Sequence, residues 1–140
     1  MDIKSLDQAL LEIIEVKNKL SELDYSDESY DTLEEELHDL EDDFVENFGP
    51  YMEEALHLVH DEFCPDNDVL LPIAYLAHKY VKKGEKEDGS PIFTVAADEG
   101  VIVEVDDYPD KVSRLVVLPN PTRIVLTTDK SNAEEVWRAK

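Results

Sequence analysis

The sequence contains little cysteine and little glycine, and each shortage argues against a class of functional site. Cys64 is the only cysteine among 140 residues, so the chain has no internal disulfide and no Cys-x-x-Cys zinc motif. Four glycines are present, and none belongs to a glycine-rich phosphate-binding loop. No nucleophile-elbow signature surrounds a serine or the cysteine. These absences favour a non-catalytic protein and predict no cofactor, although a pocket between elements would leave no motif in the sequence.

Long apolar runs are also missing. No stretch approaches the ~20 consecutive apolar residues that a membrane-spanning helix needs. The first fifteen residues, MDIKSLDQALLEIIE, lack the basic region and the uninterrupted apolar core of a signal peptide. A single cysteine does not require an oxidising compartment. We therefore expect a soluble cytoplasmic protein that does not bind a membrane.

Basic residues are scarce, with 13 Lys and Arg against 35 Asp and Glu and a net charge of −22. The charge is uneven. Residues 1–68 hold 23 acidic and three basic residues, a net −20, whereas residues 69–140 hold 12 acidic and 10 basic residues, a net −2. Such a field repels nucleic-acid phosphates and attracts basic surfaces. We predict no direct nucleic-acid binding and a basic protein as the partner.

A chain of this length is typical of one domain, 1–140, with a core of useful size. Within it we predict an acidic helical half, 1–68, and a mainly β half, 69–140. In the first half, apolar residues at helical spacing predict helices over 5–23, 33–48 and 50–63. Gly49 and Pro50 mark the boundary between the second and third, because glycine caps a helix end and proline fits a first helical position.

In the second half, β-branched residues between turn signals predict strands over 92–97, 101–105, 114–118 and 123–128. No connection is long enough for a crossover helix, so an antiparallel sheet is expected. The segment 69–82 is either a further strand, which we favour, or a fourth helix. Ser131 and Glu134 form a capping box that predicts a last helix carrying Trp137. The predicted fold is α+β: an N-terminal three-helix layer packed on a C-terminal antiparallel β-meander of four to five strands, with a short C-terminal helix.

A Glu-x-x-His pattern occurs twice, as Glu35 with His38 and as Glu54 with His57. It resembles the ligand motif of ferritin-like di-iron proteins, whose ligands point into a four-helix bundle. At 100° per residue both pairs point away from the apolar stripe of their helix. The repeat is therefore interpreted as two solvent-facing helix surfaces.

A second metal hypothesis involves His57, His60, Asp61 and Cys64. His57 with Asp61, or His60 with Cys64, lie one helical turn apart and offer two ligands each. The span from His57 to Cys64 is about 10.5 Å along a helix, which is long for chelation of one ion. A metal-binding or metal-dependent protein is the alternative function.

The preferred function is a small interaction module without catalytic activity that binds a basic protein. The residues proposed to contact this partner are Glu35, Asp39, Asp42 and Glu46, which share one outward face of the acidic helix. The partner's identity and the oligomeric state stay open.

Overall fold

The computed structural model describes residues 1–129 and 132–140. In this part of the chain the elements are two helices, one 3-10 helix and six strands: α1 (Ile3–Ser21), α2 (Tyr30–Phe63), the 3-10 helix Pro72–Tyr75, β1 (Val81–Glu85), β2 (Pro91–Thr94), β3 (Val101–Val103), β4 (Ser113–Leu118), β5 (Arg123–Thr128) and β6 (Asn132–Arg138). The predicted α+β class is confirmed. The predicted three-helix layer, the single meander and the C-terminal helix are wrong.

Helix α2 runs without interruption through the predicted boundary at Gly49 and Pro50 and is 34 residues long. A proline inside a helix removes one hydrogen bond and crowds the preceding turn, at a cost of about 3 kcal/mol. Phe44 and Met52 are buried on either side of Pro50, so core packing of both halves offsets this local cost. Glycine and proline indicate only the local preference of the backbone for a helix end, which tertiary packing can override. Two helices therefore replace the expected three.

Helix α1 begins at an aspartate cap and lies with one face in the core. The carboxylate of Asp2 accepts hydrogen bonds from the backbone amides of Lys4 and Ser5, at 3.1 and 3.3 Å. At 1.5 Å per residue, the 19 residues of α1 span about 28 Å and the 34 residues of α2 about 51 Å. Helix α1 can therefore cover little more than half of α2. Neither helix, nor any other helix of the described residues, has the length and apolar character needed to cross a bilayer.

The strands form two sheets. Strands β1 and β2 make a two-stranded antiparallel hairpin, and the other four form an antiparallel sheet in the order β3-β4-β5-β6. Central pairs such as Leu115 with Leu126 and Val117 with Ile124 set the register of β4 on β5. The sheet thus keeps the predicted antiparallel order, but the described chain has six strands in two sheets where one meander of four to five was expected.

The predicted C-terminal helix is instead the edge strand β6. Trp137 pairs with Ile124 and Glu135 with Val125, so Val136 is an extra residue that forms a bulge. Pairing with β5 satisfies the backbone of this segment, and such a non-local partner is invisible to a capping-box rule. Ser131, the predicted cap, lies outside the described residues.

The segment 69–82 is neither the favoured strand nor a fourth helix over most of its length. After the 3-10 helix, Leu76 forms a parallel bridge with Val117. The hydroxyl of Tyr80 accepts a hydrogen bond from the Ala77 amide at 3.0 Å and donates one to the Val117 carbonyl at 2.7 Å. These side-chain bonds hold an irregular backbone against β4.

The two central strands of the four-stranded sheet, β4 and β5, are covered on both faces. On one face, Leu115, Val117, Ile124 and Leu126 join a core with residues of both helices. Residues that alternate with them point to the opposite face and join Tyr80 in a smaller core, which Phe93 of β2 borders; these residues are Val116, Leu118 and Val125. The helices therefore cover one face of these strands, and the segment that contains the hairpin, together with Ile14 of α1, covers the other.

A carboxylate on α1 ties the helix layer to the turn between β4 and β5. Oδ1 of Asp7 accepts hydrogen bonds from the Thr122 backbone amide at 2.7 Å and from the Thr122 hydroxyl at 2.5 Å. Thr122 is fully buried. The interaction joins residues that are 115 positions apart in the chain, so it fixes the start of the protein against its sheet.

Gly100, just before β3, should tolerate no side chain. Its φ is +103°, and a Cβ built there would lie 2.5 Å from the carbonyl oxygen of Leu115. We expect Gly100→Ala to lower the free energy of unfolding by about 2 kcal/mol or more in urea denaturation. Gly84→Ala is the matched control, because a Cβ there meets no heavy atom within 4 Å; it should change stability by less than about 0.5 kcal/mol. Equal losses in the two variants would contradict this.

Candidate functional site

The four carboxylates predicted to contact a partner lie on one exposed face of α2. Glu35, Asp39, Asp42 and Glu46, here called the acidic stripe, are all exposed. Their spacing of four, three and four residues keeps them on the same side of a helix. From Glu35 to Glu46 the stripe extends about 16 Å along the helix axis. A partner surface of ordinary size can therefore contact all four side chains together.

The negative charge of α2 is not neutralised within the described residues. The helix contains 13 carboxylates and no lysine or arginine. The salt bridges that the structure shows use Glu15, Glu85, Glu99 and Glu135, none of which belongs to α2. Like charges one turn apart destabilise a helix by a few tenths of a kcal/mol each. The concentration of carboxylates therefore lowers the stability of α2.

One cation that interacts with a carboxylate of this helix is Lys17 of α1. Burial lowers the pKa of the Lys17 ammonium, and the charges of Glu41 and Glu99 oppose that effect. Glu99 accepts a hydrogen bond from the Lys79 amide at 2.9 Å, and its other oxygen is 3.0 Å from Nδ1 of His78. Lys17 thus lies on the packed side of α2, away from the acidic stripe.

The four metal-ligand candidates are divided between solvent and core. His57 and Asp61 are exposed, whereas His60 is 3% exposed and Cys64 is fully buried. Across the described residues, no three His, Cys, Asp or Glu side chains are grouped so that they could hold a metal ion. The structure therefore does not bring the four candidates together.

His60 takes part in a buried hydrogen-bond network. Its Nδ1 is 3.1 Å from the carbonyl oxygen of Asn67 and its Nε2 is 2.9 Å from the hydroxyl of Tyr75. A carbonyl only accepts, so Nδ1 carries the proton and Nε2 accepts from the tyrosine. The same hydroxyl accepts a hydrogen bond from the Leu70 amide at 3.0 Å. Both ring nitrogens are used in joining α2 to the segment that follows it, which is a structural role.

Removing the Tyr75 hydroxyl should destabilise the protein. Tyr75→Phe leaves the Leu70 amide and the Nε2 atom of His60 without their partner, and an unsatisfied buried polar group costs about 1–3 kcal/mol. We expect a loss of that size in the free energy of unfolding, measured in urea. Tyr25→Phe provides the control, because Tyr25 is 83% exposed and should show almost no change. A neutral Tyr75→Phe would show that the network contributes nothing.

Cys64 should be unreactive in the folded protein. Burial, with a smaller contribution from the charge of Asp106, raises the pKa of the Cys64 thiol to about 11. The nucleophilic thiolate is therefore scarce at pH 8, and the side chain is inaccessible. We expect iodoacetamide at pH 8 to leave Cys64 unmodified in native protein and to alkylate it fully in 6 M guanidinium, as measured by mass spectrometry. Rapid alkylation of the native protein would contradict the burial.

A groove that the sequence does not reveal lies between α2 and β6. It has a volume of about 730 Å³, and its lining includes Tyr51, Glu54 and Leu58 of α2 and Trp137 of β6. The rings of Tyr51 and Trp137 meet edge to face, with centroids 5.7 Å apart. The groove was missed because β6 was predicted as a helix. One available signal was Leu58, an apolar residue outside the stripe of its helix.

Comparisons of the chain with models of known families, with curated proteins and with solved structures find no match. Function must therefore be argued from the surface chemistry of the molecule.

Proposed function

We propose that this protein is a non-catalytic interaction module that binds a basic surface of a partner protein through the acidic stripe. The observation that carries the proposal is the unneutralised charge of α2, in which no carboxylate forms a salt bridge within the described residues. Charge that the chain does not use internally is available to a partner. The same charge destabilises the helix, because like charges one turn apart repel.

The expected binding is dominated by long-range attraction. A surface with one sign of charge accelerates encounter with a basic partner, and salt weakens it because the Debye length is about 8 Å at physiological ionic strength. Individual exposed ion pairs contribute only about 0.2–1 kcal/mol. Affinity therefore depends on several stripe residues acting together, which the common orientation of Glu35, Asp39, Asp42 and Glu46 permits.

The metal-binding alternative has less support from the positions of its residues. His60 is committed to Asn67 and Tyr75, and the thiol of Cys64 lies in the core. We propose no second function on this basis. The proposal includes the cytoplasm as the location, because a single buried cysteine gains nothing from an oxidising compartment.

Neutralising the stripe should weaken partner binding. The test variant combines Glu35→Gln, Asp39→Asn, Asp42→Asn and Glu46→Gln, which keep side-chain size and remove four charges. Partners retained from a lysate of the source cells by wild-type protein would be identified, and their affinities measured at 50 and 300 mM salt. We expect the test variant to bind at least about tenfold more weakly at 50 mM salt, since four lost contacts of ~0.4 kcal/mol exceed 1.4 kcal/mol.

A matched variant removes the same charge elsewhere. It combines Glu87→Gln, Glu104→Gln, Asp107→Asn and Asp110→Asn, all of which are exposed and outside α2. This control should lose less than about threefold in affinity, because only the general field is reduced. Equal losses in the two variants, an acidic partner, or binding that is unchanged at 300 mM salt would each refute the proposal.

A further inference from the structure

A second groove runs along α1, between the outer face of the helix and strand β2. Its volume is about 470 Å³, and β2 contributes Pro91 and Phe93 to it. The residues that line it on the helix side extend from Gln8 to Glu22, about 21 Å along the axis. We call this surface the α1 groove. Its volume lies within the ~300–1,000 Å³ that is typical of small-molecule sites.

Apolar side chains line the α1 groove on both sides. They are Leu11, Pro91 and Phe93, and all three are partly buried. Leu11 lies outside the apolar stripe of α1 and belongs to neither core of the described residues. Phe93 borders the smaller core through an edge-to-face contact with Tyr80, with centroids 6.2 Å apart. Leu11 in particular offers apolar surface that the fold does not use, and covering it would favour binding.

Hydrogen bonds hold the two walls of the groove in place. The Asn18 side chain donates to the Tyr80 carbonyl at 3.0 Å and accepts from the Tyr80 amide at 2.8 Å. The Asn120 side chain donates to the Pro91 carbonyl at 2.8 Å, and the Asn120 backbone amide donates to Asp7 of α1 at 3.4 Å. The helix and the hairpin are thus tied together at two places. A groove that is already formed loses little ordering free energy when a ligand binds.

The charge of the α1 groove selects a cation. Among the described residues its lining has three carboxylates, Glu12, Glu15 and Glu22, against one ammonium group, that of Lys19, a net −2. Lys19 is paired with Glu15 at 3.3 Å, whereas Glu12 and Glu22 form no salt bridge with any described residue. The groove between α2 and β6, by contrast, is lined by two acidic and two basic residues. Only the α1 groove therefore discriminates by charge.

Glu12 is the carboxylate best placed to receive the cation. It directly follows Leu11, so one ligand can contact both side chains. Glu12 lies about two helical turns from Lys19, whereas Glu22 lies only about one turn from it and is partly neutralised by it. Of the hairpin lysines, Lys82 is bonded to Glu85 at 2.7 Å, and none lines the groove. No described cation thus competes at Glu12.

We propose that the α1 groove binds a small amphipathic amine. The ammonium group pairs with Glu12, and the apolar body packs on Leu11 and Phe93. A stable protein–protein interface buries about 1,200 Å² or more, which is far more surface than a groove of this volume offers. The occupant is therefore a small molecule and not a protein segment. The site lies on α1 and does not depend on the acidic stripe of α2.

The test uses monodansylcadaverine, a primary amine whose dansyl group fluoresces more strongly in apolar surroundings. It is titrated with the whole chain at about 100 mM salt, and saturable binding at a single site is expected. The N-acetyl derivative keeps the apolar body but has no charge. It should bind at least about threefold more weakly, because its ion pair with Glu12 is lost. Equal affinity of the two compounds would overturn the assignment of an amine as the ligand.

A charge reversal at Glu12 tests where the ammonium group lies. Glu12→Lys should weaken binding at least about tenfold, because an attractive contact becomes repulsive. Glu36→Lys is the matched control, since Glu36 is exposed on α2 and does not line the groove. It should weaken binding less than about threefold. Equal losses in the two variants would show attraction to the general negative field and would overturn the site.

A truncation at Leu11 tests the apolar contact. Leu11→Ala should weaken binding about threefold or more, because apolar area buried by the ligand is lost. Leu58→Ala is the control: Leu58 is 59% exposed on α2, outside the α1 groove, and its truncation should have no effect. Alanine favours a helix at both positions, so both variants should fold. An unchanged affinity of Leu11→Ala would contradict the proposed packing.

Amide chemical shifts locate the bound amine. We expect the largest changes around Leu11 and Phe93. Changes confined to the acidic stripe, or the absence of saturable binding, would overturn the α1 groove as a site. Either result would leave the proposed function as it stands, because that function requires a protein partner on α2 and is tested by variants of the stripe.

Discussion

Strands β4 and β5 are buried on both faces, and the positions of the other elements depend on this double burial. Antiparallel sheets commonly leave one face to solvent. Here Leu115 and Val117 point to the helices, whereas Val116 and Leu118 point to the opposite core. Two covering layers are therefore needed. The two helices supply one, and the segment containing Tyr80, the β1–β2 hairpin and Ile14 of α1 supply the other.

Because each helix gives one face to this sandwich, its remaining surface is free to carry charge. The buried residues of α2, such as Phe44, Met52 and Val59, hold the helix in place against the repulsion among its carboxylates. The acidic stripe lies on the outward side of α2, and the groove lies where α2 passes the edge strand β6.

Much of the central sheet could be predicted from the sequence. The bounds of β5 agree with the predicted strand and β4 begins one residue earlier than predicted, because their β-branched residues favour a strand in any context. The errors occurred where distant contacts override local signals. Core packing carries α2 through Pro50, and pairing with β5 makes 132–138 a strand despite its capping box.

For the candidate functional residues, too, the sequence predicts what depends on one helix and misses what depends on distant contacts. Helical periodicity alone predicts that Glu35, Asp39, Asp42 and Glu46 are exposed, and the structure confirms that exposure; whether they bind a partner stays a prediction. Periodicity could not show that His60 meets Asn67 and Tyr75, since both partners lie beyond the end of α2, Asn67 in a loop and Tyr75 in the 3-10 helix. The second Glu-x-x-His pattern begins nineteen residues after the first, and within one continuous helix this spacing rotates it by about 100° around the axis. Glu35 and Glu54 therefore do not share a face.

The hydrogen bonds from Thr122 to Asp7 also bear on how the chain is made. During synthesis, α1 emerges 115 residues before the residue that anchors it, so the apolar faces of both helices lack the sheet they pack against until most of the protein has left the ribosome. Exposed apolar surface invites association between unfinished chains. The carboxylates of α2 repel neighbouring copies throughout this interval. The charge that we propose attracts a partner to the folded protein therefore also opposes association between incomplete chains.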